Sequence, residues 1–124
     1  MTTTRNPVGW FEIYVRDMDR ARRFYEAVFQ CKLEKLESGG IEMQAFPMKM
    51  DLPGAAGALV KMDGVGPGAG TIVYFTCADC AEEAARVPAA GGKIFKPKFS
   101  IGQYGFISLV NDTEGNLFGL HSVR

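Results

Sequence analysis

Residues 8–29, VGWFEIYVRDMDRARRFYEAVF, decide the fold, because within them the apolar period changes from two to about 3.6. Val8 to Val15 is rich in β-branched and aromatic residues and is bounded by Pro7, which reads as a strand. Alternation along it puts Phe11, Ile13 and Val15 on one face and Trp10, Glu12 and Tyr14 on the other. The first set is expected under a helix. The second, aromatic but punctuated by a carboxylate, is expected to wall a cleft. Asp17 then offers an oxygen to the first free amides of a helix, and Asp19 puts negative charge in its first turn. Met18, Ala21, Phe24, Tyr25, Val28 and Phe29 recur at three- and four-residue spacing, which predicts a one-faced helix packed on a core. Arg20, Arg22 and Arg23 fall outside that stripe and read as a solvated face rather than a phosphate patch.

Working outward, strands are predicted over Lys32 to Glu37, Glu42 to Phe46 and Ala56 to Met62, with turns at Ser38-Gly39-Gly40 and Asp51 to Gly54. Asp63 to Gly70, DGVGPGAG, suits an exposed connection. It lacks the Gly-Lys-Ser/Thr ending of a phosphate loop. At an offset of about sixty residues the pattern repeats. Thr71 to Cys77 reads as a strand, Asp79-Cys80-Ala81-Glu82 as a capping box, and Ala81, Ala84, Ala85 and Val87 as the inward stripe of a second helix. Strands follow over Lys93 to Lys98, Gly105 to Val110 and Asn116 to Ser122, the last two joined by Asp112 to Gly115. The expectation is a single α+β domain over residues 1–124. Its two βαβββ modules, about 7–62 and 71–122 around linker 63–70, form an open half-barrel cleft.

Bulk properties set the surroundings. Of 124 residues, 47% are hydrophobic and 23% charged, which suits one ordinary globular domain. With 14 basic and 14 acidic residues there is no net field to gather nucleic acid or an anionic membrane, and neither is expected as a partner. No stretch has the length of a membrane span or the apolar core of a signal peptide, so a cytoplasmic location is expected. Three cysteines cannot close a disulfide framework and read as thiols.

The run FEIYVRDMDRARRFYEAVF, the second strand entering its helix through a capping box, and the ending VNDTEGNLFGLHS resemble the glyoxalase / bleomycin resistance / extradiol dioxygenase superfamily, the vicinal oxygen chelate proteins. The resemblance covers nearly the whole chain. It implies two curled βαβββ halves, often paired across a homodimer. It also implies metal ligands, mostly His and Glu, at four cleft-facing positions on the first and last strands of each half. Carried onto this chain, the first-strand position falls on Trp10, its second-half equivalent on Thr71 and the last-strand carboxylate on Gly119, while Ala58 to Lys61 hold no Glu or His. Thr113 stands where the family usually has proline, which bears on turn rigidity. A single His in the whole chain rules out a two-His site within it.

Glu12 and His121 lie two residues beyond Trp10 and Gly119 and so share their faces. They read as catalytic candidates: a carboxylate-imidazole pair holding or moving a proton, with Glu12 fixing the tautomer of His121. The alternatives are an internal pair satisfying two polar groups, a solvent-facing His, or a sparse metal site. Trp10, Glu12, Tyr14, Thr71, Phe75, Tyr104 and His121 are the expected ligand-binding residues. Phe99 to Phe106 reads either as a flap over that pocket or as a tight connection. Cys77 and Cys80 have the spacing of a redox pair, although Asp79 between them disfavours the thiolate.

Three functions follow. The first is a small-molecule-binding protein without the family metal or any cofactor, sequestering an organic ligand or running metal-free proton transfer. The second is a metal-dependent lyase or isomerase resembling glyoxalase I (lactoylglutathione lyase), with zinc, nickel or iron on atypical ligands. The third is a thiol redox protein. A homodimer is expected, since open half-barrels expose an apolar face.

Overall fold

A computed structural model describes residues 5–64 and 70–124. The chain divides into two compact units, Trp10–Thr71 and Met1–Gly9 with Ile72–Arg124, so each sheet is described by itself. Most of the expected linker, 65–69, lies outside the described residues.

The first half runs β1 (Val8–Tyr14), α1 (Met18–Phe29), β2 (Glu34–Ser38), β3 (Ile41–Ala45) and β4 (Ala56–Lys61), with strand order β2-β3-β4-β1. β1 and β4 are parallel, pairing Glu12 with Ala58 and Tyr14 with Val60, and the other pairs are antiparallel. Parallel pairing requires a long crossover, which α1, β2 and β3 supply. α1 begins as the sequence predicts: Asp17 is extended and its Oδ1 accepts from the Arg20 amide at 3.0 Å. It ends at Gln30, in the left-handed region at φ 52°, and the Glu26 carboxylate then accepts the Leu33 amide at 2.8 Å to turn the chain into β2. Ile13 and Val15 pack with Met18, Ala21, Tyr25, Leu33, Leu59 and Phe46 under α1, confirming that strand face.

The rest of the α1 stripe is corrected. Phe24, Val28 and Phe29 are 60%, 54% and 63% exposed, and only Met18 on the helix is fully buried. Tyr25 reaches Phe46 edge-on at 5.6 Å, but the next row of side chains overhangs.

The second half repeats the plan with β5 (Thr71–Thr76), α2 (Cys80–Arg86), β6 (Lys93–Ser100), β7 (Phe106–Asn111) and β8 (Leu117–Ser122), in order β5-β8-β7-β6. β5 and β8 are parallel, pairing Tyr74 with Gly119 and Thr76 with His121. Asp79 caps α2 by accepting from the Ala81 amide at 3.0 Å and from Lys98 at 2.8 Å. The inward face of α2 is Cys80, Ala84 and Val87, so Ala84 and Val87 of the expected stripe pack on the core, Cys80 joins them and Ala85 is exposed. Asp112 organises the β7–β8 turn, accepting from the Glu114 and Asn116 amides at 2.8 Å each and from the Asn116 side chain at 2.9 Å. No helix among the described residues is long and apolar enough to cross a membrane.

Candidate ligand-binding faces

The strand face that α1 leaves uncovered is β1's Trp10, Glu12 and Tyr14. Glu12 is only 6% exposed. Its carboxylate accepts the Tyr14 hydroxyl at 2.6 Å and the Trp10 indole N–H at 3.3 Å. All three project from one side of one strand, so alternation alone brings two aromatic donors to a carboxylate two residues from each. A buried carboxylate needs such donors to hold its charge out of water. Opposite them on β4 stand Ala58 and Val60, small and without donor atoms. A hollow of about 260 Å³ opens at the β1–α1 junction, among Ile13, Val15, Asp17, Arg20 and Tyr25. It shares Tyr14 with the carboxylate face but takes its other walls from the helix side.

In the second half, Phe75 packs with Cys77, Cys80, Ala84 and Leu120 under α2, edge-on to Phe118 at 5.5 Å. Phe75, expected to line a pocket, is therefore part of the α2 core, and Thr71 shares its strand face. The opposite face carries Ile72, Tyr74 and Thr76. The slip is one residue, and the helix caps expose it: Trp10 stands seven residues before Asp17 and Ile72 seven before Asp79. The counterparts of Trp10, Glu12 and Tyr14 are thus Ile72, Tyr74 and Thr76, and the counterpart of Gly119 is Ala58. Tyr74, buried at 3% exposure, is the residue the sequence reading missed. A Cβ at Gly119 would overlap its ring, so the aromatic plane covers the place where the family's last-strand carboxylate would rise.

His121, beside Gly119 on that face, is half-buried, and its Nε2 lies 2.6 Å from the Tyr104 carbonyl oxygen. Tyr104 ends a 3₁₀ turn, Gly102–Tyr104, closed by the Ile101 amide on the Gly105 carbonyl at 2.9 Å. The segment after β6 is thus a tight connection rather than a flap. Glu12 takes the donors named above from its own half, and His121 takes Tyr104 from its own. Trp10 and Tyr14 gather around Glu12 in the first half, Tyr104 lies against His121 in the second, and Phe75 faces the α2 core.

The metal donor set fails on residue chemistry. Trp10, Ala58, Ile72 and Gly119 offer no lone pair suited to a divalent ion, and no three His, Cys, Asp or Glu cluster to hold one among the described residues. Cys77 and Cys80 are free and buried, and burial, reinforced by the nearby Glu83 carboxylate, pushes the Cys77 thiol up to about 11, away from the reactive thiolate.

The family model of the Glyoxalase/Bleomycin resistance protein/Dioxygenase superfamily matches residues 8–120. Among solved structures, Streptomyces coelicolor methylmalonyl-CoA epimerase in complex with 2-nitronate-propionyl-CoA is similar at 20% identity, covering 93% of this chain and 95% of that one, with a TM-score of 0.67. Methylmalonyl-CoA epimerase from Mycobacterium tuberculosis is similar at 17% identity, over 97% and 91% of the chains, with a TM-score of 0.64. A hypothetical protein from Bacillus halodurans C-125 reaches a TM-score of 0.67 at 13% identity over 91% of each chain. No protein of curated function matches the sequence.

Proposed function

This chain belongs to the glyoxalase/bleomycin resistance protein/dioxygenase superfamily, and from that premise we propose that it binds a small organic ligand without the family metal. One observation carries the reading: the four positions onto which the resemblance carries the family's metal ligands, once β5 is aligned by its helix cap, hold Trp10, Ala58, Ile72 and Gly119, the last lying under the Tyr74 ring. Apolar and aromatic surface with a few fixed polar groups is the usual make-up of a small-molecule site. Here the polar groups are Glu12, presented by Trp10 and Tyr14, and His121. The complex of a similar fold with 2-nitronate-propionyl-CoA supports an organic ligand. Glu12 on its sheet and His121 on the other are each proposed to hold or move a ligand proton, and Tyr104 borders His121. Whether that proton transfer turns the ligand over is decided by adding substrate. The binding itself requires no cofactor.

The reading places the protein in the cytoplasm as a homodimer. The exposed row of Phe24, Val28 and Phe29 supports a second copy, and light scattering reads it directly: a dimer mass agrees, a monomer at micromolar concentration does not.

Protein-observed NMR against a small-molecule library tests the binding. The expected result is that hits move the amides of β1 and β8 in metal-free buffer and that Glu12→Gln weakens them. Hits appearing only after a divalent ion is added would overturn the reading.

A further inference from the structure

We infer that the main-chain carbonyl of Tyr104 fixes His121 as its Nε2–H tautomer, leaving Nδ1 as the one ring lone pair, offered as an acceptor to a proton-donating ligand. The argument begins with the 2.6 Å contact. A carbonyl oxygen only accepts, so the ring nitrogen facing it carries the proton, and in the neutral imidazole the other nitrogen is then bare. The carbonyl is held in place by its own turn. Ile101 and Gly105 close it, the Gly102 amide donates to the Ser100 hydroxyl at 3.1 Å, and the Gly105 amide donates to the Gly102 carbonyl at 3.2 Å. Gly105 adopts φ 103°, and its missing side chain lets the turn close against the Ser122 carbonyl, where a Cβ would overlap.

The backbone that carries the imidazole is held as well. His121 pairs with Ile107 on β7 and Thr76 on β5, and its own carbonyl accepts the Cys77 amide at 2.7 Å. With backbone and Nε2 both anchored, the ring has one orientation. Nδ1 has no hydrogen-bond partner among the described residues, and the side chain is only half-buried, so a solute reaches it. Tyr104 is therefore a positioning residue that acts through its backbone. The sequence reading had given that task to Glu12.

The inference rests on the ligand-binding reading for its last step, and the chain's single His makes the experiment unambiguous. In ¹⁵N-labelled protein, the spectrum of the neutral ring is expected to show a protonated Nε2 and an unprotonated Nδ1. The reverse tautomer, or an averaged pair, overturns the proposal whatever else binds. His121→Gln keeps a donor for the Tyr104 carbonyl and His121→Leu does not. Hydrogen exchange of the Gly105 amide should accelerate by about tenfold or more in the Leu variant and little in the Gln variant. Equal exchange in the two overturns the anchoring. Phenol, which carries a donor, is expected to shift Nδ1 in the wild type, whereas anisole, which lacks one, is not. A correct tautomer with no response to phenol, or an equal response to anisole, overturns the acceptor role and leaves the ligand-binding reading to its own amide-shift test.

Discussion

Glu12 and Tyr74 occupy the same place in their halves, the middle of the first strand's uncovered face, and what surrounds each is different. Glu12 is paired with Ala58 and is clasped by Trp10 and Tyr14. Tyr74 is paired with Gly119 and lies across it. One step along, Val60 in the first half corresponds to His121 in the second. A repeated βαβββ frame thus presents a carboxylate on one sheet and an imidazole beside an aromatic plate on the other. Position is inherited from the frame, while chemistry is written by single residues, which is why membership of the superfamily fixes the fold and leaves the ligand open.

The comparison breaks or sharpens under substitution. The largest effect is expected in the two helix-covered cores. Leu59→Ala, under α1, should cost about 2–5 kcal/mol, and Leu120→Ala, under α2, a similar amount, both read by urea unfolding. Unequal losses would show that one half carries the stability. Next, Gly119→Ala should cost about 1–3 kcal/mol by forcing Tyr74 aside, and Tyr74→Leu in the same chain should recover part of it. The counterpart Ala58→Gly should cost about 1–2 kcal/mol, from added backbone freedom together with the loss of a buried methyl. A harmless Gly119→Ala would remove the claim that the ring covers that position.

Tyr14→Phe, which removes the hydroxyl donor 2.6 Å from the Glu12 carboxylate, should cost about 1–3 kcal/mol. The two helix caps differ more subtly. Lys98 and then the Ala81 amide hold the Asp79 carboxyl below the usual carboxylate range, and the Arg20 amide does the same for Asp17. Both groups bind a proton less readily folded than unfolded, so their stabilisation is present above the unfolded value of 3.8 and is lost as pH falls below it. Asp79→Asn should flatten the acid limb of a melting-temperature profile more than Asp17→Asn, because it also loses Lys98. The smallest effect lies at Cys77, whose thiol titrates near 11 against 9.0 unfolded. Folding therefore holds that proton, stability declines as pH rises through that window, and iodoacetamide labelling of the native protein at neutral pH should favour the half-buried Cys31.

The sequence disclosed the strands and helices because each half carries its own punctuation. Asp17 and Asp79 cap the helices, and the Asp112 turn closes the last hairpin, each through bonds that residue type alone foretells. The faces were harder. In β1 the carboxylate at Glu12 breaks the apolar run and reveals the alternation. In β5, TIVYFTC has no such break, so Phe75 was assigned to the face that belongs to Tyr74. Equal spacing to the two capping aspartates was the signal that fixes the register. Phe24, Val28 and Phe29 were read as core because periodicity tells which side chains share a stripe but not how much of it is covered. The anchoring of His121 was invisible, since a main-chain carbonyl has no residue identity to read.

The central claim is that the family's metal positions have been given over to Trp10, Ala58, Ile72 and a glycine beneath Tyr74. Elemental analysis of protein purified from zinc-, nickel- and iron-supplemented cultures, with melting curves across the same ions, tests it most directly. The account predicts substoichiometric metal and no rise in melting temperature. One equivalent of a divalent ion, lost together with a melting-temperature gain in Glu12→Gln or His121→Gln, would contradict it.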